Sequence, residues 1–502
     1  MGLFKNRIRS IVGESSGFLE SAGNLIYYFA NPEFYRKLLG KIWRQLTTKV
    51  PKYTAWVQMQ DSDILINTSN IHFTIICATS KKVSQTYSNI TFLNRSESLN
   101  IDTTSYIIWL DEDDTLDPNA CAALAQVIHQ TGASIITFDY DFLQNDIRYA
   151  PQFLPSWSPA ALAYSNYIQN AVCVKCDLLC DYQQGFSSPI AFYNKLKQVD
   201  VDIRKTKRLR KVLLSKKKEE VIIEKPTSIM QQPLVSIIIP TFNKTHLVKQ
   251  CIDSIINHST YTNYEIVLVD NRSTESELTD LIHQYQSLLK QNFIHVRADY
   301  VFNFSQLMND GVNKSKGEYI VLLNNDTEII TPEWIEQFLS IAVRSNVGAV
   351  GAKLLYPDNS IQHAGIVLNN EVVSKHIYVG KKQYAEVYQN ALNSIKQYSA
   401  ITAACLMINR KKYLEVNGFD VRYKVEFNDI DFCLRLLERG YYNVYTPYVQ
   451  VYHYESASRQ HPMSTKKSKD TYSQERAQLS KQWEFYIEDD PYWHPNINTF
   501  RL

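Results

Sequence analysis

Four polar clusters in the second half of this 502-residue sequence each follow a short apolar run. They are Pro240-Thr241-Phe242-Asn243, Asp270-Asn271-Arg272-Ser273, Asn324-Asn325-Asp326 and, after Val449 to Tyr452, His453. If the runs are strands of an open α/β sheet, these residues lie beyond the strands' carboxyl ends, where such sheets bind ligands. Carboxylate, amide and imidazole groups gathered there can accept hydrogen bonds, hold a cation or move a proton. Asn, Asp and Ser after a strand are also ordinary turn formers, so one cluster alone says little. Their joint occurrence in this order carries the reading. Two more carboxylates stand in Phe427-Asn428-Asp429-Ile430-Asp431, followed by Leu434, Leu436, Leu437 and Gly440, which puts Asp429 in the first turn of a helix. Spacing alone makes Asp429 a helix cap and Asp431 a first-turn charge favoured by the helix dipole.

The elements that must hold these groups alternate between strand and helix. Val235 to Pro240 reads as a buried strand, and Leu247, Val248, Cys251, Ile252, Ile255 and Ile256 as a helical stripe. Glu265 to Val269 is the next strand, Leu278 to Tyr285 the next helix, and Phe293 to Val296 and Tyr319 to Leu323 are further strands. Thr331-Pro332 opens a helix ahead of a strand at Val347 to Val350. This order predicts an α/β fold with a mainly parallel sheet flanked by helices. A smaller α/β module precedes it, with strands at Phe73 to Cys77, Tyr106 to Leu110 and Ser134 to Phe138 and a helix at Ala120 to His129. There Asp111-Glu112-Asp113-Asp114 repeats the pattern of carboxylates after a strand. Cys173, Cys176 and Cys180 lack a fourth Cys or His at zinc spacing nearby, so they are expected as buried thiols.

The segments LVSIIIPTFNK, YEIVLVDNRST, GEYIVLLNNDTEI, FNDIDFCLRLLERG and VYHYESASR resemble family 2 glycosyltransferases of bacterial surface-polysaccharide assembly, over residues 234 to about 490. FNFSQLMNDGV and AKLLYPDNSIQHAG resemble its rhamnosyltransferase-like or O-antigen biosynthesis branch. The resemblance implies the GT-A fold, a nucleoside-diphosphate sugar donor (a dTDP- or UDP-sugar), a divalent cation, and inversion at the anomeric centre. It gives Asp270 a hydrogen bond from a pyrimidine base, with Pro240, Thr241 and Asn243 shaping the base and ribose pocket and Asn324 and Asn325 beside the nucleotide. Asp326 takes the last place of the family's Asp-any-Asp motif, whose carboxylate binds Mg²⁺ or Mn²⁺. The first place is Asn324 here, one negative charge fewer. His453 matches the histidine that completes the metal shell, and its nitrogen suits Mn²⁺ better than Mg²⁺. Asp429 corresponds to the carboxylate that deprotonates the acceptor hydroxyl, with Asn428 and Asp431 in support. The implied acceptor is a lipid-linked or oligosaccharide glycan. The N-terminal segment resembles a degenerate transferase module with no counterpart of Asn428-Asp429 plus His453, which implies a scaffold or acceptor-positioning domain, with a second active site as the alternative.

Composition bounds the rest. A chain of this length exceeds what one hydrophobic core organises, and 45% hydrophobic with 21% charged residues excludes wholesale disorder. Charge is balanced, 53 basic against 51 acidic, which leaves no chain-wide attraction to nucleic acid. Eight cysteines are too sparse for a disulfide scaffold and fit a reducing compartment. No apolar run suits a signal peptide or a membrane span, so the expectation is a cytoplasmic protein, peripheral at the inner face of the cell membrane. The basic stretch 33–52, with Phe34, Leu38, Ile42 and Leu46 at steps of four, supplies the membrane contact or packs on its own protein. Expected divisions are a helical region 1–70, the degenerate module 71–195, a basic linker 196–233, the catalytic domain 234–490 and a tail 491–502. Two other classes compete. A non-catalytic glycan-binding or assembly protein is favoured by Asn324 and opposed by the joint retention of Asp270, Asp326, Asp429 and His453. A nucleotidyltransferase lacks its Gly-rich phosphate loop.

Overall fold

A computed structural model describes residues 70–497 apart from 78–83, 95–100, 146, 180–187, 218–221, 228–230 and 455–465, together with Tyr53, Trp56, Val57 and Gln60. Residues 57–502 make one compact unit and residues 1–56 another. The stretch 33–52, with the membrane contact expected of it, lies outside the described residues, as does Cys180. Cys173 is a buried free thiol, and Cys176 is buried.

The N-terminal sheet contains β1 (Phe73–Cys77), β2 (Ile90–Asn94), β3 (Tyr106–Leu110), β4 (Thr115–Leu116), β5 (Ile135–Gln144), β6 (Ile147–Gln152), β7 (Val172–Lys175) and β8 (Thr206–Lys216). Its order is β2-β1-β3-β7-β5-β8-β4, with β6 beside β5. β1 and β3 are buried throughout because both faces are covered. Alternate side chains divide between the faces: Phe73, Ile75, Ile108 and Leu110 join the helix Ala120–Thr131 in one core, while Ile76, Ile107 and Trp109 meet Trp157 and Phe192 in the other.

The C-terminal sheet contains β9 (Val235–Thr241), β10 (Tyr264–Asp270), β11 (Phe293–Arg297), β12 (Tyr319–Leu323), β13 (Thr327–Ile329), β14 (Val347–Leu355), β15 (Ile361–His363), β18 (Lys396–Tyr398), β19 (Cys405–Asn409) and β20 (Tyr442–His453), while β16 (Ile366–Asn369) and β17 (Val373–His376) form a separate pair. The main order is β11-β10-β9-β12-β19-β14-β20-β13. It is a mixed sheet, parallel through β11-β10-β9-β12 and antiparallel where β19 enters between β12 and β14. Helices Thr245–His258, Ser276–Leu289 and Trp334–Ala342 cover one face; Phe304–Lys314 and Asn428–Glu438 cover the other.

The two sheets repeat one plan. The N-terminal pairs β1–β2, β1–β3, β3–β7, β5–β7, β5–β8 and β4–β8 have the same directions as β9–β10, β9–β12, β12–β19, β14–β19, β14–β20 and β13–β20. The chain visits them in the same order, and β11 is an extra edge strand of the second sheet.

Two expected boundaries are corrected. The stretch 196–233 is not a linker throughout, because β8 occupies its middle and belongs to the N-terminal sheet, which moves that module's end beyond 195. Its lysines and arginines flank an apolar centre, Val212-Leu213-Leu214, that is buried in the sheet. Residues 491–497 are likewise no free tail: Tyr492 and His494 are buried, His494 stacks on Phe153 at 4.7 Å between ring centroids, and its Nε2 lies 3.1 Å from Asp139. Arg208, at the start of β8, reaches Asp489 at 2.8 Å, so this segment fastens the two modules together.

Candidate active site

The register of β13 against β20 sets Thr327 opposite His453. It thereby brings the last strand's end to the turn after β12, and His453 Nε2 lies 3.2 Å from Asp326 Oδ1 and 3.4 Å from Asn324 Nδ2. Asp326 and His453 are both buried. Carboxylate, imidazole and amide thus meet at one point from residues more than a hundred positions apart. Among the described residues no group of three or more His, Cys, Asp or Glu side chains is preformed for a metal. The donor set nevertheless suits a hard or borderline cation. Asn324 Oδ1 and His453 Nδ1 are buried without a hydrogen-bond partner, and a half-turn of the Asn324 amide would exchange its nitrogen for oxygen facing His453.

Asp429 stands at the second position of the helix Asn428–Glu438, which starts after Phe427 in a left-handed conformation (φ 59°). Its Oδ2 accepts the Ala403 N–H at 3.3 Å, and Asn324 N donates to Ala404 O at 3.0 Å. The Thr402–Ala404 segment therefore ties the carboxylate to the turn that carries Asp326. Burial pushes the Asp429 carboxyl above the ordinary carboxylate range, against the pull of hydrogen bonds from Ala403 and Thr402. That shift makes it a stronger proton acceptor once ionised.

The nucleotide-side residues gather at the ends of β9 and β10. Asn325 Nδ2 donates to Thr241 Oγ1 at 3.0 Å, which joins the β9 and β12 ends. Asn243 receives the Thr274 N–H on its Oδ1 at 2.8 Å and donates its own N–H to Ser273 Oγ at 2.7 Å. Pro240 lies in the buried run of β9 opposite Val269, one residue before the strand ends at Thr241. Asp270 accepts from Arg297 at 2.6 Å and from Ser273 N at 2.8 Å. Burial acts to raise its pKa, but hydrogen bonds from His295, Ser273 and Arg297 outweigh it and hold the carboxyl well below the usual range. A cavity of about 140 Å³ opens there, lined by Asp270, His295 and Arg297 among others.

The two residues expected in support, Asn428 and Asp431, make bonds within the fold. Asp431 is fully buried and binds Arg435 at 2.8 Å, Gln482, the last residue of the helix Lys466–Gln482, at 2.9 Å, and Trp483 at 3.0 Å. Asn428 Nδ2 bonds Val425 O at 3.2 Å and shapes the turn before the helix. Sequence reasoning passed over His363, fully buried, with Nε2 3.5 Å from Thr402 N and Nδ1 3.1 Å from His376 Nδ1. Burial, then the nearby His376 and His453, hold its pKa well below the ordinary histidine value. Gly365 beside it has φ +121°, and a Cβ there would meet the Tyr398 ring at 2.3 Å, so only glycine lets this turn pack. The available signal was the histidine and glycine of SIQHAG.

Comparison with known proteins gives this arrangement its class. Residues 236–415 of the C-terminal module match the family model Glycosyl transferase family 2. Among curated relatives, the uncharacterized protein y4gI of Sinorhizobium fredii is 31% identical over 441 residues, 78% of this chain and 48% of that protein. The O-antigen biosynthesis protein RfbC of Myxococcus xanthus is 27% identical over 399 residues, 70% of this chain and 31% of that protein. The chain spans less than half the length of these two relatives. A solved structure of GalNAc-T7 with UDP, GalNAc and Mn²⁺ aligns with a TM-score of 0.42 and 14% identity, over 55% of this chain and 51% of that one. No described helix is long and apolar enough to cross a membrane.

Proposed function

We propose that the chain is an inverting, metal-dependent glycosyltransferase that moves a sugar from a pyrimidine nucleoside-diphosphate donor, dTDP-rhamnose or a UDP-sugar, to a growing surface-polysaccharide glycan. The observation that carries this reading is the meeting of Asp326, Asn324 and His453 at the β12 and β20 ends, tied through Thr402–Ala404 to Asp429. The family 2 match over residues 236–415 and the likeness to an O-antigen biosynthesis protein support the polysaccharide class.

Asp270 and Arg297 would receive the base, and Thr241 and Asn243 would border the ribose. Asp326, Asn324 and His453 would hold Mn²⁺ or Mg²⁺, which supplies charge neutralisation for the departing nucleoside diphosphate. Asp429 takes the proton of the acceptor hydroxyl, whose own pKa is too high for ionisation at neutral pH. One base and direct attack by the acceptor give inversion, and much of the acceleration comes from holding two substrates together. The test is a panel of dTDP-, UDP- and GDP-sugars with Mn²⁺ or EDTA, read by thermal shift and donor hydrolysis, since a ligand of the folded state raises apparent stability. Stabilisation and hydrolysis by a pyrimidine donor with Mn²⁺ and not with EDTA is the expected result; equal values in EDTA refute the metal role.

A further inference from the structure

The N-terminal module has its own cavity, of about 240 Å³, at the place that matches the active site of the other module. It opens at the carboxyl end of β3, as the Asp326 turn does at the end of β12. Two substitutions of role distinguish it. First, β4 pairs with β8 as β13 pairs with β20, and Thr115 lies opposite Ser215 where Thr327 lies opposite His453. The next residue, Lys216, sends its ammonium into the acidic turn, 2.9 Å from Asp114 Oδ1 and 3.3 Å from Asp111 Oδ2, with only 3% of its side chain exposed. An internal cation therefore already occupies the carboxylate cluster. Second, the helix before the last long strand is Pro189–Leu196, and its second position holds Ile190, where the helix Asn428–Glu438 holds Asp429. Ile190 lines the cavity, so the proton acceptor has become an apolar wall.

The lining indicates what such a site takes. Four carboxylates face two ammonium groups, a balance that repels a pyrophosphate. The volume falls below the roughly 300 Å³ at which sites for larger ligands begin, which is too small for a nucleotide sugar and suited to one ring. The lining mixes polar Asp111, Asn166 and Asn170, the first and last already joined at 2.8 Å, with apolar Leu162 and Ile190 and the Tyr193 ring. Such a mixture of hydrogen-bonding and apolar groups suits the hydroxyls and the C–H face of a sugar.

We propose that this cavity is a metal-independent binding site for one neutral saccharide unit, with the Lys216 ammonium in place of the divalent cation and no catalytic base. The inference rests on the proposed function only in that the chain handles a glycan. It requires no donor chemistry.

The test uses the full chain with methyl glycosides of glucose, galactose, mannose, rhamnose and N-acetylglucosamine, at up to about 10 mM to reach affinities of the 1 mM class. Saturation-transfer NMR is recorded in EDTA on the wild type, on Asp326→Ala and on Ile190→Trp. Ile190 is half exposed, so the larger ring fills the cavity without entering the core, and an unchanged melting temperature verifies the fold. The expected result is transfer to at least one glycoside in EDTA, kept in Asp326→Ala and reduced at least about fivefold in Ile190→Trp. Transfer that needs Mn²⁺ and is lost only in Asp326→Ala would assign the sugar to the C-terminal site and overturn the proposal. Absence of transfer for every glycoside overturns it too. Donor hydrolysis by the wild type, measured with Mn²⁺ on the same preparation, tells failure here from failure of the transferase reading.

Discussion

The two acidic turns of this molecule lie at the same place in the same sheet plan and have opposite fates. After β3 stand four carboxylates in a row; after β12 stand two amides and one carboxylate. By count of charges the first turn is the better metal site. Its partner strand ends in Ser215-Lys216, however, and the ammonium closes it, whereas β20 brings His453, a metal-ligating imidazole, to Asp326. The residue that arrives from the far strand decides what a carboxylate does. Burial of Asp114 raises its pKa even with Lys216 beside it, and the Lys216 ammonium already stands where a metal ion would bind.

The largest effect expected from breaking this contrast comes from Asp326→Ala. It removes the one carboxylate of its turn, and transfer should fall about 10³-fold or more with loss of the Mn²⁺ dependence of donor binding, followed by metal titration of both. On the other side, Lys216→Met strands a buried carboxylate and should cost about 3 kcal/mol in urea unfolding. The double change Lys216→Met with Asp114→Asn should recover part of that loss, since a neutral pair leaves no unpaired charge. No recovery would show that Lys216 acts through packing alone.

Asp429→Asn keeps the size of the side chain and cannot take the proton. Turnover should drop about 10²-fold while the donor KM changes little, which separates chemistry from binding. The same carboxyl sets a pH limb. Its pKa is raised by burial, so the base is protonated and idle at low pH, and turnover should climb as pH rises through an apparent pKa above 3.8. The Asp429→Asn profile should lose that limb. An unchanged profile would make Asp429 a structural charge in the helix's first turn. The smallest effect is assigned to Asp113→Asn: its ion pair with Lys217 spans 2.7 Å between side chains 49% and 61% exposed, and unfolding free energy should move by less than about 0.5 kcal/mol.

Much of this architecture was legible along the chain. Tyr106–Leu110 and Tyr319–Leu323 are strands at the expected residues because both are apolar runs bounded by polar turns, and burial on two faces demands continuous hydrophobicity. β8 was not legible, since Lys207, Arg208, Arg210 and Lys211 make a strand look like a solvated tether. Arg208 reaches Asp489 across 281 positions, a partner that no local pattern announces. His363 was missed for a related reason: a lone histidine in a short strand gains meaning only from what faces it, here Thr402 and His376. Asp431, expected in support of catalysis, also bonds Gln482 and Trp483, more than fifty positions away, which no local pattern announces.

Local chemistry thus determined the alternation of elements, the position of each polar cluster at a strand end and the place of Asp429 in a helical first turn. Those features follow from side-chain periodicity and turn propensity, which act over a few residues. The resemblance had joined Asp326 and His453 in one metal shell, and the tertiary structure supplied their 3.2 Å approach; it alone decided that Asp114 meets Lys216 and that Ile190, second in its helix, lines the N-terminal cavity. Both meetings depend on the register of antiparallel strands whose members lie about a hundred residues or more apart in sequence. A one-residue shift there would turn each side chain to the opposite face, so register, and not composition, assigns the cation.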